Sequence, residues 1–230
     1  GMLRAMPRRA RRAIGGLVYH VLNRGNLRAC IFHKDGDYEA FERILQEAWQ
    51  RTPVELFAWC LMGNHWHMVL RPRQDEDLAE FMRWLTVTHT RRWRAHSHSE
   101  GEGHLYQGRY KSFPVQTDRH FPLVCRYVER NALRAQLVPR AQDWRWSSLW
   151  RRLRNARQDR SLLSAWPVEF AGDWTARVNE LLPDPELSRI RASLARSRPF
   201  GNSAWTRRMV QSLQLGSTLR PRGRPRGAAG

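Results

Sequence analysis

The stretch Val54–Pro72, VELFAWCLMGNHWHMVLRP, carries the pattern that decides the fold. It holds two apolar runs, VELFAWCLM and HWHMVLRP, and both are rich in aromatic and β-branched residues. Gly63-Asn64 lies between them, and this dipeptide is typical of the turn of a β-hairpin. The pattern therefore predicts two antiparallel strands over 54–62 and 65–72.

The sequence on either side of this hairpin predicts the remaining elements. A β-rich run, LVYHVLNRGN, predicts a first strand, and apolar residues at helical spacing from Asp35 to Arg51 predict a helix. After the hairpin we expect a helix over 77–95, a strand over 105–116 and a helix over 119–137. The order β-α-β-β-α-β-α resembles a ferredoxin-like or RRM-like antiparallel sheet with helices on one face, an α+β fold.

Composition shifts suggest four regions. Residues 1–14 form a basic arm, and residues 15–150 hold the predicted catalytic domain. Residues 151–215 contain short helical patterns broken by prolines, so we expect a mostly helical extension. Residues 216–230 include RPRGRPRG, a low-complexity basic segment for which we predict a flexible tail.

The charge balance points to a polyanionic partner. The 230 residues include 40 Lys and Arg against 21 Asp and Glu, a net charge of +19. Only Lys34 and Lys111 are lysines, and the arginine guanidinium suits phosphate groups and base edges. Nucleic acid is the simplest partner that this excess implies.

Other features of the composition bear on location. No run of about 18 apolar residues is present, so the sequence predicts no membrane span. The three cysteines, Cys30, Cys60 and Cys125, are far apart and odd in number, which argues against a disulfide framework. Together with the absence of a signal-peptide pattern, this predicts a cytoplasmic protein.

The paired histidines of the second hairpin strand are the first candidate site. Side chains alternate faces along a strand, so His65 and His67 share one face while Trp66 points to a core. Two imidazoles two residues apart can hold one metal ion. Two ordinary surface histidines beside a buried tryptophan would give the same pattern, so the pair leaves both interpretations open.

The predicted helix over 119–137 supplies a second candidate. Tyr127 and Asn131 are four residues apart and so share one helical face, and Arg126, Arg130 and Arg134 form a basic stripe at the same spacing. A phenol is a weak nucleophile at neutral pH, but it can attack phosphorus if a metal ion withdraws charge from the phosphate. A packed tyrosine and a solvated arginine face remain the alternative explanation.

Several motifs in order resemble one protein family. LMGNHWHMVLRP, GHLYQGRYKS, RYVERNALRAQLV and WRWSSL are similar to segments of the REP-associated tyrosine transposases. These belong to the single-tyrosine HUH endonucleases, a superfamily that includes insertion-sequence transposases. The MPRRAR arm, the HVLNRGN strand and the RGRPR segment resemble the family too, and the similarity covers nearly all of residues 6–150.

The resemblance implies roles for individual residues. Tyr127 matches the nucleophile, and His65, His67 and Asn131 match the ligands of a divalent ion, Mg²⁺ or Mn²⁺. The enzyme would cleave single-stranded DNA at a hairpin, the repetitive extragenic palindrome, keep the 5′ phosphate on tyrosine and release a 3′-OH. We expect a monomer or homodimer in a bacterial cytoplasm, associated with the nucleoid. The expected DNA contacts are Arg8, Arg9, Arg11, Arg12, Arg24, Asn26, Arg109, Lys111, Arg126, Arg130 and Arg134.

Two other classes of protein use residues of these types. A nucleic-acid-binding module on an RRM-like sheet would use the arginines and aromatic residues without cleavage. A zinc hydrolase is disfavoured, because the sequence places no third His, Asp or Glu ligand near the histidine pair.

Overall fold

A computed structural model of the chain describes residues 13–97, 103–154 and 162–219. Most of the predicted basic arm, with Arg8, Arg9, Arg11 and Arg12, lies outside the described residues. The end of the predicted tail, residues 220–230, also lies outside them.

Four antiparallel strands form the sheet at the centre of the fold. They are β1 (Val18–Arg24), β2 (Val54–Met62), β3 (His65–Pro72) and β4 (Lys111–Val115). Their spatial order is β2-β3-β1-β4, with each neighbouring pair antiparallel. The predicted ferredoxin-like sheet, with the hairpin of β2 and β3 at one side, is therefore confirmed.

Eight helices surround the sheet in the described parts of the chain. They are α1 (Asp35–Arg51), α2 (Asp77–Ser97), α3 (His120–Glu129), α4 (Asn131–Arg134), α5 (Ser148–Leu153), α6 (Trp174–Asn179), α7 (Asp184–Arg196) and α8 (Ser203–Ser212). The last three lie in the predicted C-terminal extension, which is therefore mostly helical where it is described. No helix in the described ranges is long and apolar enough to cross a membrane.

Two predicted elements are shorter than expected. The strand predicted over 105–116 covers only Lys111–Val115, and residues 105–110 keep a single isolated bridge, between Tyr106 and Gly25. The helix predicted over 119–137 divides at Arg130, whose backbone (φ −82°, ψ −1°) departs from helical geometry. Tyr127 and Asn131 consequently belong to two helices.

One face of the sheet packs on α1 and α2. Trp66, Met68 and Leu70 of β3 point into this core, where they join Phe41 of α1 and Phe81 of α2. All five side chains are fully buried. The predicted direction of Trp66 is confirmed, and the alternation of β3 explains it.

The opposite face is covered by α3, so the expectation of helices on one face only is wrong. Phe121, Val124, Cys125 and Val128 follow the spacing of one helical face and are buried against the sheet. The sequence pattern showed that this helix has an apolar face, but it did not show which side of the sheet receives it.

The C-terminal extension pairs with both edge strands. On the β4 edge, the amide of Phe200 donates to the carbonyl of Pro114 at 2.8 Å. On the β2 edge, the amide of Ser164 donates to the carbonyl of Leu56 at 2.9 Å. These bonds satisfy backbone groups that an open edge would leave unpaired. The predicted domain boundary at residue 150 stays a prediction.

A buried carboxylate ties α3 to this extension. Glu129 has no exposed surface, and burial raises its pKa. Its Oε1 accepts from Ser148 Oγ at 2.5 Å, and its Oε2 accepts from Trp174 Nε1 at 2.6 Å. Since a buried acceptor without donors is costly, the carboxylate and the two donors fix each other's positions.

We expect Glu129→Ala to lower the free energy of unfolding by about 2–4 kcal/mol, because the indole of Trp174 loses its acceptor and the short bond from Ser148 is lost in a buried setting. Urea denaturation measures the change. Glu129→Gln keeps the shape of the side chain and one acceptor oxygen, so its free energy of unfolding should fall by less.

Glu39→Ala is the matched control, because it removes a carboxylate that pairs with Arg145 at the surface. Its loss should stay within about 1 kcal/mol. A loss for Glu129→Ala no larger than that of Glu39→Ala would contradict the role of Glu129 in anchoring α3.

Candidate active site

The strand register brings three imidazoles to the α3 face of the sheet. His65 and His67 of β3 lie opposite Arg24 and Leu22 of β1, and directly opposed residues of antiparallel strands share a face. His20 of β1 lies on this face too, since it is two residues from Leu22 along the strand. The ring centroids of His65 and His67 are 5.1 Å apart, and those of His20 and His67 are also 5.1 Å apart.

Asn64 in the hairpin turn orients His65. The amide nitrogen of Asn64 donates to the carbonyl of Arg28 at 3.1 Å, so the amide oxygen is the atom that faces the imidazole. That oxygen lies 2.6 Å from His65 Nδ1, which must therefore be the donor. The proton on Nδ1 leaves the lone pair of Nε2 free to bind a ligand.

His20 contacts Nδ1 of His67, as Asn64 contacts Nδ1 of His65. Its Nε2 lies 2.9 Å from Nδ1 of His67, and both rings are buried. The ring of His20 also stacks on Phe113 at 4.8 Å, which holds it in place. Nε2 of His67 is thus the ring nitrogen left for a ligand. Sequence analysis did not tie His20 to the pair, because the register between β1 and β3 is a tertiary property.

Burial keeps these imidazoles neutral. It lowers the pKa of His20 to about 3. Burial, followed by the charges of Arg24 and Arg134, lowers the pKa of His65 to about 4. Burial also lowers the pKa of His67 well below its ordinary value, with further contributions from His20 and His65. Neutral imidazole is the form that binds a metal ion.

Tyr127 meets the histidine pair from the helix above. It follows Val124 by three residues, so α3 directs it toward the sheet. The ring centroid of Tyr127 lies 5.8 Å from that of His67 at a near-perpendicular angle. Tyr127, His65 and His67 line one cavity of about 690 Å³. The structure therefore brings together three of the four side chains predicted as nucleophile and metal ligands.

Asn131, predicted as a third ligand, lies elsewhere. Its side chain is 1% exposed, and its Oδ1 accepts from Arg134 Nη2 at 2.5 Å. It is absent from the described lining of the cavity. The break at Arg130 separates it from the helix of Tyr127. Of the three predicted ligands, only the two imidazoles thus line the cavity. The oxygen of Asn131 accepts a hydrogen bond from Arg134 instead.

The cavity has a basic rim. Four of the predicted DNA contacts line it: Arg24, Arg109, Lys111 and Arg134. Arg24 is half-buried at this rim, and its Nε has no hydrogen-bond partner among the described residues. Arg191 of α7 also lines the cavity, and no motif in the extension had indicated it.

Two arginines of the predicted basic stripe bond the C-terminal extension and do not line the cavity. Arg126 and Arg130 are 2% and 8% exposed. Each donates to the carbonyl of Glu180 at 2.8 Å, just past the end of α6. Cations stabilise the carbonyl end of a helix, so both anchor the extension and do not face the cavity. Asn26, a further predicted DNA contact, lines a separate cavity beside Trp93.

The donor set suits a metal ion held only in part by protein. In the described chain, no group of three or more His, Cys, Asp or Glu side chains could hold a metal ion. A catalytic zinc site has three protein ligands, which disfavours the zinc hydrolase. Two neutral imidazoles in a basic cavity fit a divalent ion whose other ligands come from phosphate and water.

The chain is similar to known proteins in sequence and in fold. A family described as "Transposase IS200 like" matches residues 13–131. The fold is similar to that of a REP-associated tyrosine transposase bound to a REP hairpin, with 20% identity and a TM-score of 0.51 over 79% of this chain and 100% of that one. A candidate transposase from Deinococcus radiodurans is 20% identical over 53% of this chain and 95% of its own, with a TM-score of 0.39. No curated protein matches the chain.

We expect His65 to remain neutral, with its proton on Nδ1, between about pH 8 and about pH 5. A base whose pKa is lowered to about 4 gains its second proton only when the pH falls to that value. Long-range ¹H–¹⁵N correlation spectra report both protonation and tautomer, and His65→Gln assigns the signals.

Asn64→Ala is the matched variant, because it removes the acceptor from Nδ1 and should let both tautomers form. A His65 ring that titrates near its ordinary pKa, or that carries its proton on Nε2 in the unaltered protein, would contradict this geometry.

Proposed function

The chain belongs to the IS200-like transposase family, and we propose that it cleaves and rejoins single-stranded DNA at hairpins through a covalent bond to Tyr127. One observation carries this proposal: the phenol of Tyr127 and the imidazoles of His65 and His67 line the same arginine-rimmed cavity. A transposase acts on DNA, and a nucleophile beside a cation site is what cleavage of a phosphodiester by a side chain requires.

In the proposed reaction, the oxygen of Tyr127 attacks the phosphorus at the cleavage site. The bond from phosphorus to the 3′ oxygen breaks, and that oxygen takes up a proton from solvent to become a free 3′-OH. The phenol loses its proton, and the 5′ phosphate remains on the tyrosine as a diester. Attack by a second 3′-OH on this phosphotyrosine reverses the chemistry, joins the strands and restores the phenol.

His65 and His67 would hold Mg²⁺ or Mn²⁺ through Nε2. The ion, when bound, would withdraw charge from the phosphate oxygens. Imidazole ligands favour Mn²⁺ of these two ions. Asn131 is not counted in this set, because it is absent from the described lining of the cavity.

The other side chains of the cavity would position the substrate. Arg24 lines the cavity, and its guanidinium would bind a phosphate oxygen. Arg109, Lys111 and Arg134 line the same cavity and would bind neighbouring phosphates. Because Tyr127 and both histidines meet within one chain, the geometry supports a site that is complete in a monomer.

Hairpin DNA is the substrate that we propose, of the repetitive extragenic type. The similar solved structure, a REP-associated transposase, is bound to a REP hairpin. The alternative, a non-catalytic module on an RRM-like sheet, loses support because α3 covers the sheet face that such a module uses for base stacking.

We expect the unaltered protein, with Mn²⁺ and a hairpin oligonucleotide, to form a protein–DNA adduct that survives SDS. Tyr127→Phe removes only the nucleophilic oxygen, so the adduct should vanish while the dissociation constant for DNA changes by about twofold or less. Denaturing gels measure the adduct, and fluorescence anisotropy measures binding.

Tyr38→Phe is the control, because Tyr38 is a buried tyrosine that lies in the α1 core. It should retain the adduct. His65→Ala combined with His67→Ala should stop adduct formation without loss of affinity. An adduct in the Tyr127→Phe protein would show that another residue is the nucleophile.

We expect His20→Phe to weaken Mn²⁺ binding by roughly 10–100-fold, the usual effect of removing the group that orients a metal-ligating histidine. Phenylalanine keeps the ring stacked on Phe113 but cannot form the hydrogen bond with Nδ1 of His67. Titration calorimetry or Mn²⁺ electron paramagnetic resonance measures the affinity without any DNA.

The matched control is His89→Phe. His89 is buried to a similar degree, bonds Tyr106 and lies on the opposite side of the sheet. It should leave Mn²⁺ affinity unchanged. Equal affinity in the His20→Phe and unaltered proteins would show that His20 does not position His67.

A further inference from the structure

A second cavity adjoins the proposed active site. It has a volume of about 650 Å³ and lies between α2 and residues 104–110, and we call it the side groove. Four residues line both cavities: Asn23, Gln107, Gly108 and Arg109. The two cavities therefore adjoin at these four residues.

The α2 wall of the side groove is apolar although it contains threonines. The hydroxyl of Thr86 donates to the carbonyl of Met82 at 2.7 Å, and the hydroxyl of Thr90 donates to the carbonyl of Thr86 at 2.8 Å. Both hydroxyls are thus used by the backbone of their own helix. Val87, in the same wall, is 51% exposed and presents an apolar surface to the groove.

The floor of the side groove is an aromatic ring held in place. Trp66 Nε1 donates to the hydroxyl of Tyr106 at 3.1 Å, and that hydroxyl lies 2.6 Å from His89 Nδ1. Burial lowers the pKa of His89 to about 3, so its ring is neutral and its Nδ1 can accept a hydrogen bond from the phenol. Tyr106 therefore stays in one orientation at the base of the groove, where 7% of the residue is exposed.

The charges on the rim select the ligand. Arginines surround the opening, and the described lining contains no Asp or Glu. They are Arg83, Arg91, Arg94 and Arg109. An apolar interior with a cationic rim fits a flat apolar group that carries negative charge at its edge. An unpaired nucleotide has this form, with its base inside and its phosphates outside.

We propose that the side groove binds an unpaired base of the DNA substrate next to the cleavage site. The base enters between Val87 and Tyr106, and the flanking phosphates contact the arginines of the rim. Gln107, which lines both cavities, is placed to bond the base edge. The inference rests on the proposed function, since the DNA strand arrives from the cavity of Tyr127.

Photocrosslinking tests the position of this base. The probe is a DNA hairpin with single-stranded thymidine flanks that carry 4-thiothymidine at one flank position at a time, and it is bound to the Tyr127→Phe protein. We expect one flank position to crosslink to peptides of residues 79–94 or 104–110, as mapped by mass spectrometry. Crosslinks confined to other peptides would overturn the proposal.

A pair of surface variants tests it independently. Val87→Glu puts a negative charge at the groove and, because the site is exposed on a helix, keeps the fold. We expect it to lower the crosslink yield and the affinity for the flanked hairpin by about fivefold or more. Ala95→Glu adds the same charge to the same helix outside the groove and should change neither. Equal effects of the two variants would overturn the proposal.

The adduct assay separates this proposal from the proposed function. If the unaltered protein forms the SDS-resistant adduct but no crosslink reaches the side groove, only the groove proposal fails. If no adduct forms with Mn²⁺ and DNA still crosslinks to the side groove, the cleavage function fails and the base-binding site stands.

Discussion

The pairing register of β3 between β1 and β2 is the constraint on which the rest of the structure depends. A strand presents alternate residues to its two faces, so a shift of one residue would exchange them. In the observed register, Trp66 enters the core under α1 and α2, and His65 and His67 face α3. The large apolar area of the buried tryptophan makes the exchanged register costly. The core thus enforces the position of the site.

The helix that carries Tyr127 is held from both sides. Its apolar face packs on the sheet, while its polar side chains bond the C-terminal extension. Glu129 accepts from Trp174, and Arg126 and Arg130 donate to the carbonyl of Glu180. Since α3 is short, these contacts rather than helix propensity determine where Tyr127 lies. The extension contributes Arg191 to the cavity and covers both sheet edges, so it belongs to the architecture of the proposed active site.

Much of the fold could be predicted because its patterns are local. The helix Asp35–Arg51 and the hairpin strands Val54–Met62 and His65–Pro72 lie where periodicity and the turn signal place them. The less accurate predictions involve distant partners. The helix over 119–137 divides at Arg130, whose guanidinium bonds a carbonyl 50 residues away. The prediction of Arg126 as a DNA contact is also among the less accurate ones. In a sequence, an arginine that anchors a helix end cannot be distinguished from one that binds DNA.

The sequence by itself determined the ferredoxin-like sheet, the basic character of the protein and the alternation that puts His65 and His67 on one face. Only the tertiary structure decided that α3 covers this face and that the ring of Tyr127 contacts the ring of His67. The same holds for the hydrogen bond that Arg134 donates to the oxygen of Asn131. It also decided that His20, from another strand, contacts His67. The physical reason is the sequence separation over which each interaction acts. Side-chain periodicity records what happens within a few residues, whereas convergence depends on register and packing between segments far apart in the chain.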